Sequence, residues 1–166
     1  CSSDLADRMP LSVMDAVAYV PGIGLSSGEG NRDALVFRGQ RNTGDFYIDG
    51  VRDDVQHYRD FYNVEKIDVI KGPNALIFGR AGSGGIFNRV RKEANWNPKQ
   101  ELKFSGGSYD HKRMTLDTGY VLNDKVAFRM NGLYEHSRSH RKGYKLQRYG
   151  IAPTVTIKPT AKTKVV

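Results

Sequence analysis

Cysteine and tryptophan are scarce in this chain of 166 residues, one of each, and hydrophobic residues make up only 39%. The lone Cys1 excludes an internal disulfide and leaves no cysteine-built metal cluster to expect. No apolar run approaches the ~20 residues that a membrane-crossing helix needs. The first ten residues, CSSDLADRMP, lack the basic head and apolar core of a secretory leader. Lipid attachment at Cys1 stays open beside the plainer reading of a boundary residue. His-Glu-x-x-His is also missing. His136 and His140 stand four apart, a spacing that holds a metal only on a helix, and they fall in a polar stretch that reads as a loop. No catalytic residue and no metal site are expected.

Glycine, by contrast, is concentrated. Residues 67–92 read IDVIKGPNALIFGRAGSGGIFNRVRK and hold Gly72, Gly79, Gly82, Gly84 and Gly85, with Gly50 further back. A phosphate loop needs a lysine directly after Gly-x4-Gly, to reach the terminal phosphates. Here Gly79-x4-Gly84 runs into Gly85-Ile86. A dinucleotide fingerprint must open a helix, whereas Gly82-x-Gly84-Gly85 opens onto a β-branched run. The cluster therefore predicts tight backbone turns that return strands to one small sheet.

Charge divides the chain. Residues 1–98 carry 12 Lys+Arg against 13 Asp+Glu, a net of −1, and residues 99–166 carry 14 against 5, a net of +9. The composition changes near Asn95-Trp96-Asn97-Pro98, so two domains are expected, 1–98 and 99–166.

The second part alternates. Met114, Leu116, Tyr120 and Leu122 face one way, with Arg113, Thr115, Asp117 and Gly119 between them. Val126, Phe128, Met130 and Tyr134 repeat this, as do Tyr149, Ile151, Val155 and Ile157. Period two over such lengths means strands with one apolar and one wet face. Asn123-Asp124 and 159–162 read as short turns, and 135–147 as a long polar loop. Short turns at one end and long loops at the other fit an outer-membrane barrel, with Tyr120, Tyr134 and Tyr149 near strand ends. A soluble antiparallel sandwich alternates in the same way, and alternation alone leaves it open. Nucleic acid is not expected as a partner, because the basic residues lack interleaved stacking aromatics.

The first part predicts a small mixed fold. Val13, Ala16, Val17 and Val20 have helical spacing, Ser12 with Asp15 forms a cap, and Pro21-Gly22 ends the helix. Residues 34–39 and 45–51 read as short strands around a polar turn at 40–44. A helical turn is expected at 60–66, a strand at 67–70, a short helix at 74–78 and a returning strand at 86–90.

VPGI (20–23), FRG (37–39), YIDGV (47–51) and VEKIDVIKGPNALIFGRAGSGGIFNRVRK (64–92) resemble the plug signature of TonB-dependent outer-membrane receptors, the ferric-siderophore receptors above all. Residues 106–135 and 141–165 resemble the first barrel strands of such receptors. The resemblance covers nearly the whole chain, in order. It implies an α+β plug, a small mixed sheet with short helices, followed by antiparallel transmembrane β-barrel strands. The barrel is incomplete here, since a ligand-passing transporter barrel needs ~22 strands.

By that resemblance the protein imports a ferric siderophore through the bacterial outer membrane. TonB and outer-membrane lipid are its partners, and it has neither catalysis nor a resident cofactor. Ligand-binding plug apices are implied at 40–44 and 52–58, offering Arg41, Asn42, Asp53, Gln56, His57 and Tyr58. Arg38 and Arg80 match plug arginines that pair with barrel glutamates, and Glu65 is the plug carboxylate beside them. No TonB-docking segment is legible in CSSDLADRMP, and the chain reads as part of a longer receptor. Another cargo (a cobalamin, haem or a sugar), a signalling receptor and a soluble interaction module remain alternatives.

Overall fold

The computed structural model describes residues 10–25, 34–37, 39–42, 46–53, 55, 57–72, 78, 85–140, 143–160 and 163–166. The chain divides into two units, Cys1–Arg91 and Lys92–Val166. Lys92 to Lys99 go with the second unit, seven residues earlier than the charge division at Pro98. They are bonded to its strands: Gly119 N–H donates to the Lys99 carbonyl at 2.9 Å, and an Arg129 N–H donates to that of Glu93 at 3.0 Å.

In the first unit helix α1 spans Val13–Val17, shorter than the apolar spacing allows. Its capping box forms as expected, with Ser12 accepting from the Asp15 amide at 3.2 Å and the Asp15 carboxylate accepting from the Ser12 amide at 3.1 Å. Strands β1 (Ile23–Leu25), β2 (Leu35–Phe37) and β3 (Gln40–Asn42) form an antiparallel sheet. The polar stretch at 40–44 is thus not a turn throughout. Gln40 pairs with Phe37, and the reversal lies between them, where Gly39 takes φ +84°.

A second sheet has the order β5-β4-β7-β6, from β4 (Phe46–Ile48), β5 (Val51–Arg52), β6 (Val64–Lys71) and β7 (Gly85–Arg91). Asp49 and Gly50 both have positive φ and make the two-residue turn from β4 to β5. β4 lies parallel to β7, and β6 antiparallel to it. Among the described residues the unit has two small sheets, where one was expected.

The helical turn expected at 60–66 is absent. The Asp60 carboxylate accepts from the Phe61 and Tyr62 amides at 2.7 and 3.0 Å, a local bond that competes with the helix, and β6 has already begun at Val64. The expected helix at 74–78 and the glycines at 79, 82 and 84 lie outside the described residues, Phe78 excepted. Val13, Val17, Leu35, Phe37, Phe46, Phe61, Val64 and Phe87 form the core, with Phe46 and Phe87 edge to face at 5.8 Å.

The second unit is one antiparallel sheet, ordered β12-β11-β10-β9-β8. Its strands are β8 (Gln100–Gly107), β9 (His111–Asn123), β10 (Val126–Arg138), β11 (Lys145–Thr160) and β12 (Thr163–Val165). The polar stretch 135–147 is largely strand: Glu135 stands opposite Arg148 and forms an ion pair with it, and Arg138 stands opposite Lys145. β8 went unnoticed in the sequence, having only Leu102 and Phe104 to show its period.

Gly85 answers for one glycine of the cluster. A Cβ there would stand 2.8 Å from the Ile70 carbonyl and 3.1 Å from the Phe37 ring. Gly22 has φ +78° with nothing within 4 Å of a Cβ. Gly85→Ala is expected to cost about 3 kcal/mol through overpacking, and Gly22→Ala about 1 kcal/mol through backbone strain alone. Urea titrations of the two variants check the order.

Candidate functional site

Between β5 and β6 the described residues of 53–60 belong to no strand, so no ladder satisfies their carbonyls. One side chain does. Arg59 is 1% exposed, its guanidinium lies 4.1 Å over the Phe46 ring, and its Nη2 and Nη1 donate to the carbonyls of Asp53 and His57, both at 3.0 Å. Nη2 also donates to the Val55 carbonyl, and Nε to the Asp53 carboxylate at 3.3 Å. The same Asp53 oxygen accepts from Arg89 on β7. Around this centre the side chains of Val55 and His57 stand exposed. The Tyr58 hydroxyl donates to the Leu11 carbonyl at 2.6 Å.

In the second unit the two faces of the sheet differ in kind. The register places Arg113, Asp117, Arg129, Glu135 and Arg148 on one face. On it Asp117 takes Arg129 in a two-point pair, 2.7 and 2.8 Å, and Lys92 at 2.9 Å. Glu135, 1% exposed, accepts from Arg113 at 2.5 Å and Arg148 at 2.6 Å. Such charges persist out of water only because each carboxylate meets guanidinium donors in good geometry. Lys92 to Lys99 run along this face, where Thr154 and Arg129 both donate to their carbonyls.

The opposite face is apolar over most of its length, with Lys112, His136, Arg138 and Lys145 gathered at one end. Cross-strand pairing sets Leu102 by Leu116, Phe104 by Met114, Met114 by Tyr134, Tyr134 by Tyr149 and Phe128 by Val155. Several of these side chains are bare: Phe104 is 73% exposed, Tyr149 84% and Ile151 76%. At the turn after β8, a hydrogen bond from Lys112 holds the Asp110 carboxyl below its usual range. That pairing adds stability above the ordinary carboxylate pKa, and the contribution is lost as pH falls through the lowered one.

Of the residues singled out in the sequence, Asp53, His57 and Tyr58 are brought into one stretch. Asp53 Oδ2 is taken by Arg59 and Arg89, and the Tyr58 hydroxyl by the Leu11 carbonyl. The backbone of Arg41 and Asn42 lies in β3, while Gln56, Arg38 and Arg80 lie outside the described residues. Glu65 is exposed on β6. His136 is on a strand, 3.4 Å from Asp110, and not on a helix that would aim it with His140 at a metal. Arg59 and Arg89 were missed, since nothing in an isolated arginine marks it as buried. The letters Gly24-Leu25-Ser26-Ser27-Gly28 do have nucleophile-elbow spacing. An elbow carries its serine on a strand-to-helix turn of an α/β-hydrolase sheet. Here the preceding strand, β1, is the edge of a three-stranded antiparallel sheet.

The model of the TonB-dependent receptor plug domain matches residues 2–86. This chain belongs to the TonB-dependent receptor plug family. The probable TonB-dependent receptor BfrD of Bordetella pertussis is 34% identical over 150 residues, 87% of this chain and 20% of that protein. The catecholate siderophore receptor Fiu of Escherichia coli K12 is 36% identical over 157 residues, 91% and 21% of the two chains. The closed crystal form of that ferric-catecholate import receptor superposes with a TM-score of 0.85 at 34% identity, over 93% of this chain and 23% of its own. The chain thus spans about one fifth of the length of the curated relatives it matches. The plug match falls within the first unit.

Glu135→Gln leaves Arg113 and Arg148 facing each other on the buried side and is expected to cost about 3–5 kcal/mol. Glu101→Gln, flanked by Lys99 and Lys103 at 3.3 Å on a half-exposed site, is expected to cost under about 1 kcal/mol. Chemical denaturation of both variants checks the contrast.

Proposed function

We propose that this chain is the plug and the first barrel strands of a TonB-dependent outer-membrane importer of a ferric siderophore. The observation that carries the reading is the polarity of the five-stranded sheet: paired charges on its buried face, bare apolar and aromatic side chains on the other. A sheet of this polarity suits a wall with lipid outside and a wet lumen within. Phe104, Tyr134 and Tyr149 fall in one cross-strand row, and Tyr120 pairs with Phe128 in a second. The rows are six residues apart on β10, or about 20 Å along a strand, close to the ~25 Å apolar band of such barrels. Five strands are a quarter or less of the ~22 that enclose a plugged lumen, in keeping with a chain one fifth as long as its relatives.

In this reading the first unit closes the lumen, and ligand reaches the stretch after β5. Energy drawn through TonB from the periplasmic side then loosens the plug. Iron arrives wrapped in its chelator, so the protein supplies hydrogen bonds and apolar contacts and carries out no bond-making chemistry. The name of one relative, the catecholate siderophore receptor Fiu, favours a catecholate chelate.

The full-length receptor, expressed in a bacterium stripped of its own ferric-chelate receptors, is expected to restore uptake of radioactive iron presented as a catecholate chelate. Removal of TonB is expected to abolish that uptake. Uptake that persists without TonB, or none from catecholate, hydroxamate or mixed chelates, contradicts the assignment.

A further inference from the structure

Building on the importer reading, we propose that Arg59 is the positioning residue of the ligand-facing stretch 53–58. Asp53 is its structural carboxylate, and His57, through Nε2, is the side chain that touches the ligand. The described residues of the stretch belong to no strand, and one guanidinium holds three of their carbonyls. Arg59 draws in the carbonyls of residues six, four and two places before it, together with the Asp53 carboxylate. Only a planar fork of five donors meets several acceptors from one point; an ammonium is a point charge with three. The fork is itself fixed, being wholly buried against the Phe46 ring. Asp53 is further committed by the bond from Arg89, so the stretch is tied to β7 and through it to the core.

His57 gets its orientation from the same arrangement. Its Nδ1 lies 3.1 Å from the Val55 carbonyl. A carbonyl only accepts, so Nδ1 carries the hydrogen, and in the neutral ring Nε2 is left as an acceptor on the exposed edge. Val55, 64% exposed, stands beside it and offers apolar surface. Tyr58 is engaged at Leu11, and the Asp53 carboxylate by two arginines. Among the described residues of this stretch, the exposed ones are Val55 and His57, and of the two His57 carries the polar side chain. It suits a chelate that offers amide N–H or hydroxyl donors around its metal centre.

The test uses the full-length receptor in detergent, with a ferric tris-catecholate built on an amide backbone as probe. Two readouts are taken, hydrogen exchange of the peptide spanning 52–60 and probe affinity by equilibrium dialysis. Arg59→Lys and Asp53→Asn are expected to speed exchange of 52–60 about tenfold, with 85–91 unchanged, and to weaken probe binding about tenfold. His57→Ala is expected to leave exchange unchanged and weaken binding about fivefold, and His57→Gln, which keeps an acceptor, to restore most of it. Wild-type exchange in Arg59→Lys overturns the positioning role. Weaker binding with unchanged exchange in Asp53→Asn makes that carboxylate a ligand contact instead. Wild-type affinity in His57→Ala overturns its role. Should Arg59→Lys fail to fold, Asp53→Asn decides alone. A receptor that binds no ferric chelate sinks the importer reading and His57 with it, while the exchange data still judge Arg59.

Discussion

Asp117 and Glu135, with the arginines gathered on them, fix the polarity of the second unit, and most of the account follows from that. A carboxylate on a strand interior is tolerated out of water only when cations meet it in good geometry. Asp117 has Arg129 and Lys92, and Glu135 has Arg113 and Arg148. These partners lie on neighbouring strands or on the segment leading into β8. Pairing them sets the register and puts these five charged residues of the strands on one face. Because side chains alternate, the other face must then carry Met114, Tyr134, Tyr149 and Ile151, and a one-residue slip would reverse the arrangement along a strand.

The first unit solves a different problem. Its sheets are small and its strands short, so the connections carry much of the structure. Gly85 lets β7 start against the Ile70 carbonyl, Asp49-Gly50 turns β4 into β5, and Arg59 gathers the carbonyls of Asp53, Val55 and His57. Packing supplies the remainder through Phe37, Phe46, Phe61 and Phe87. The described part of this unit thus combines specific polar contacts with an apolar core.

Much of this was legible beforehand, for identifiable reasons. Strand periodicity in 113–122, 126–134 and 148–158 was plain because apolar residues alternate with polar ones there. The Ser12–Asp15 cap was plain because its chemistry is local. Residues 60–66 misled because their helical look gave way to an Asp60 turn and the β-branched run from Val64. The stretch 135–147 looked like a loop because polar residues that pair across strands have the composition of polar residues in water. Asp53 was legible only as part of an apical loop, by resemblance, and its ion pairs were not legible. Its commitment depends on Arg89, thirty-six positions away, and no local pattern reports that distance.

The central claim is that the apolar face of the second unit stands against lipid. Nitroxide labels placed singly at Ile151, Ala152, Pro153, Thr154 and Val155 of the full-length receptor, reconstituted in bilayers, test it most directly. The account predicts that 151, 153 and 155 are reached by oxygen and shielded from a water-soluble nickel chelate, with 152 and 154 showing no such preference for oxygen. Equal accessibility along the strand, or free access of the nickel chelate to 151 and 155, would contradict it.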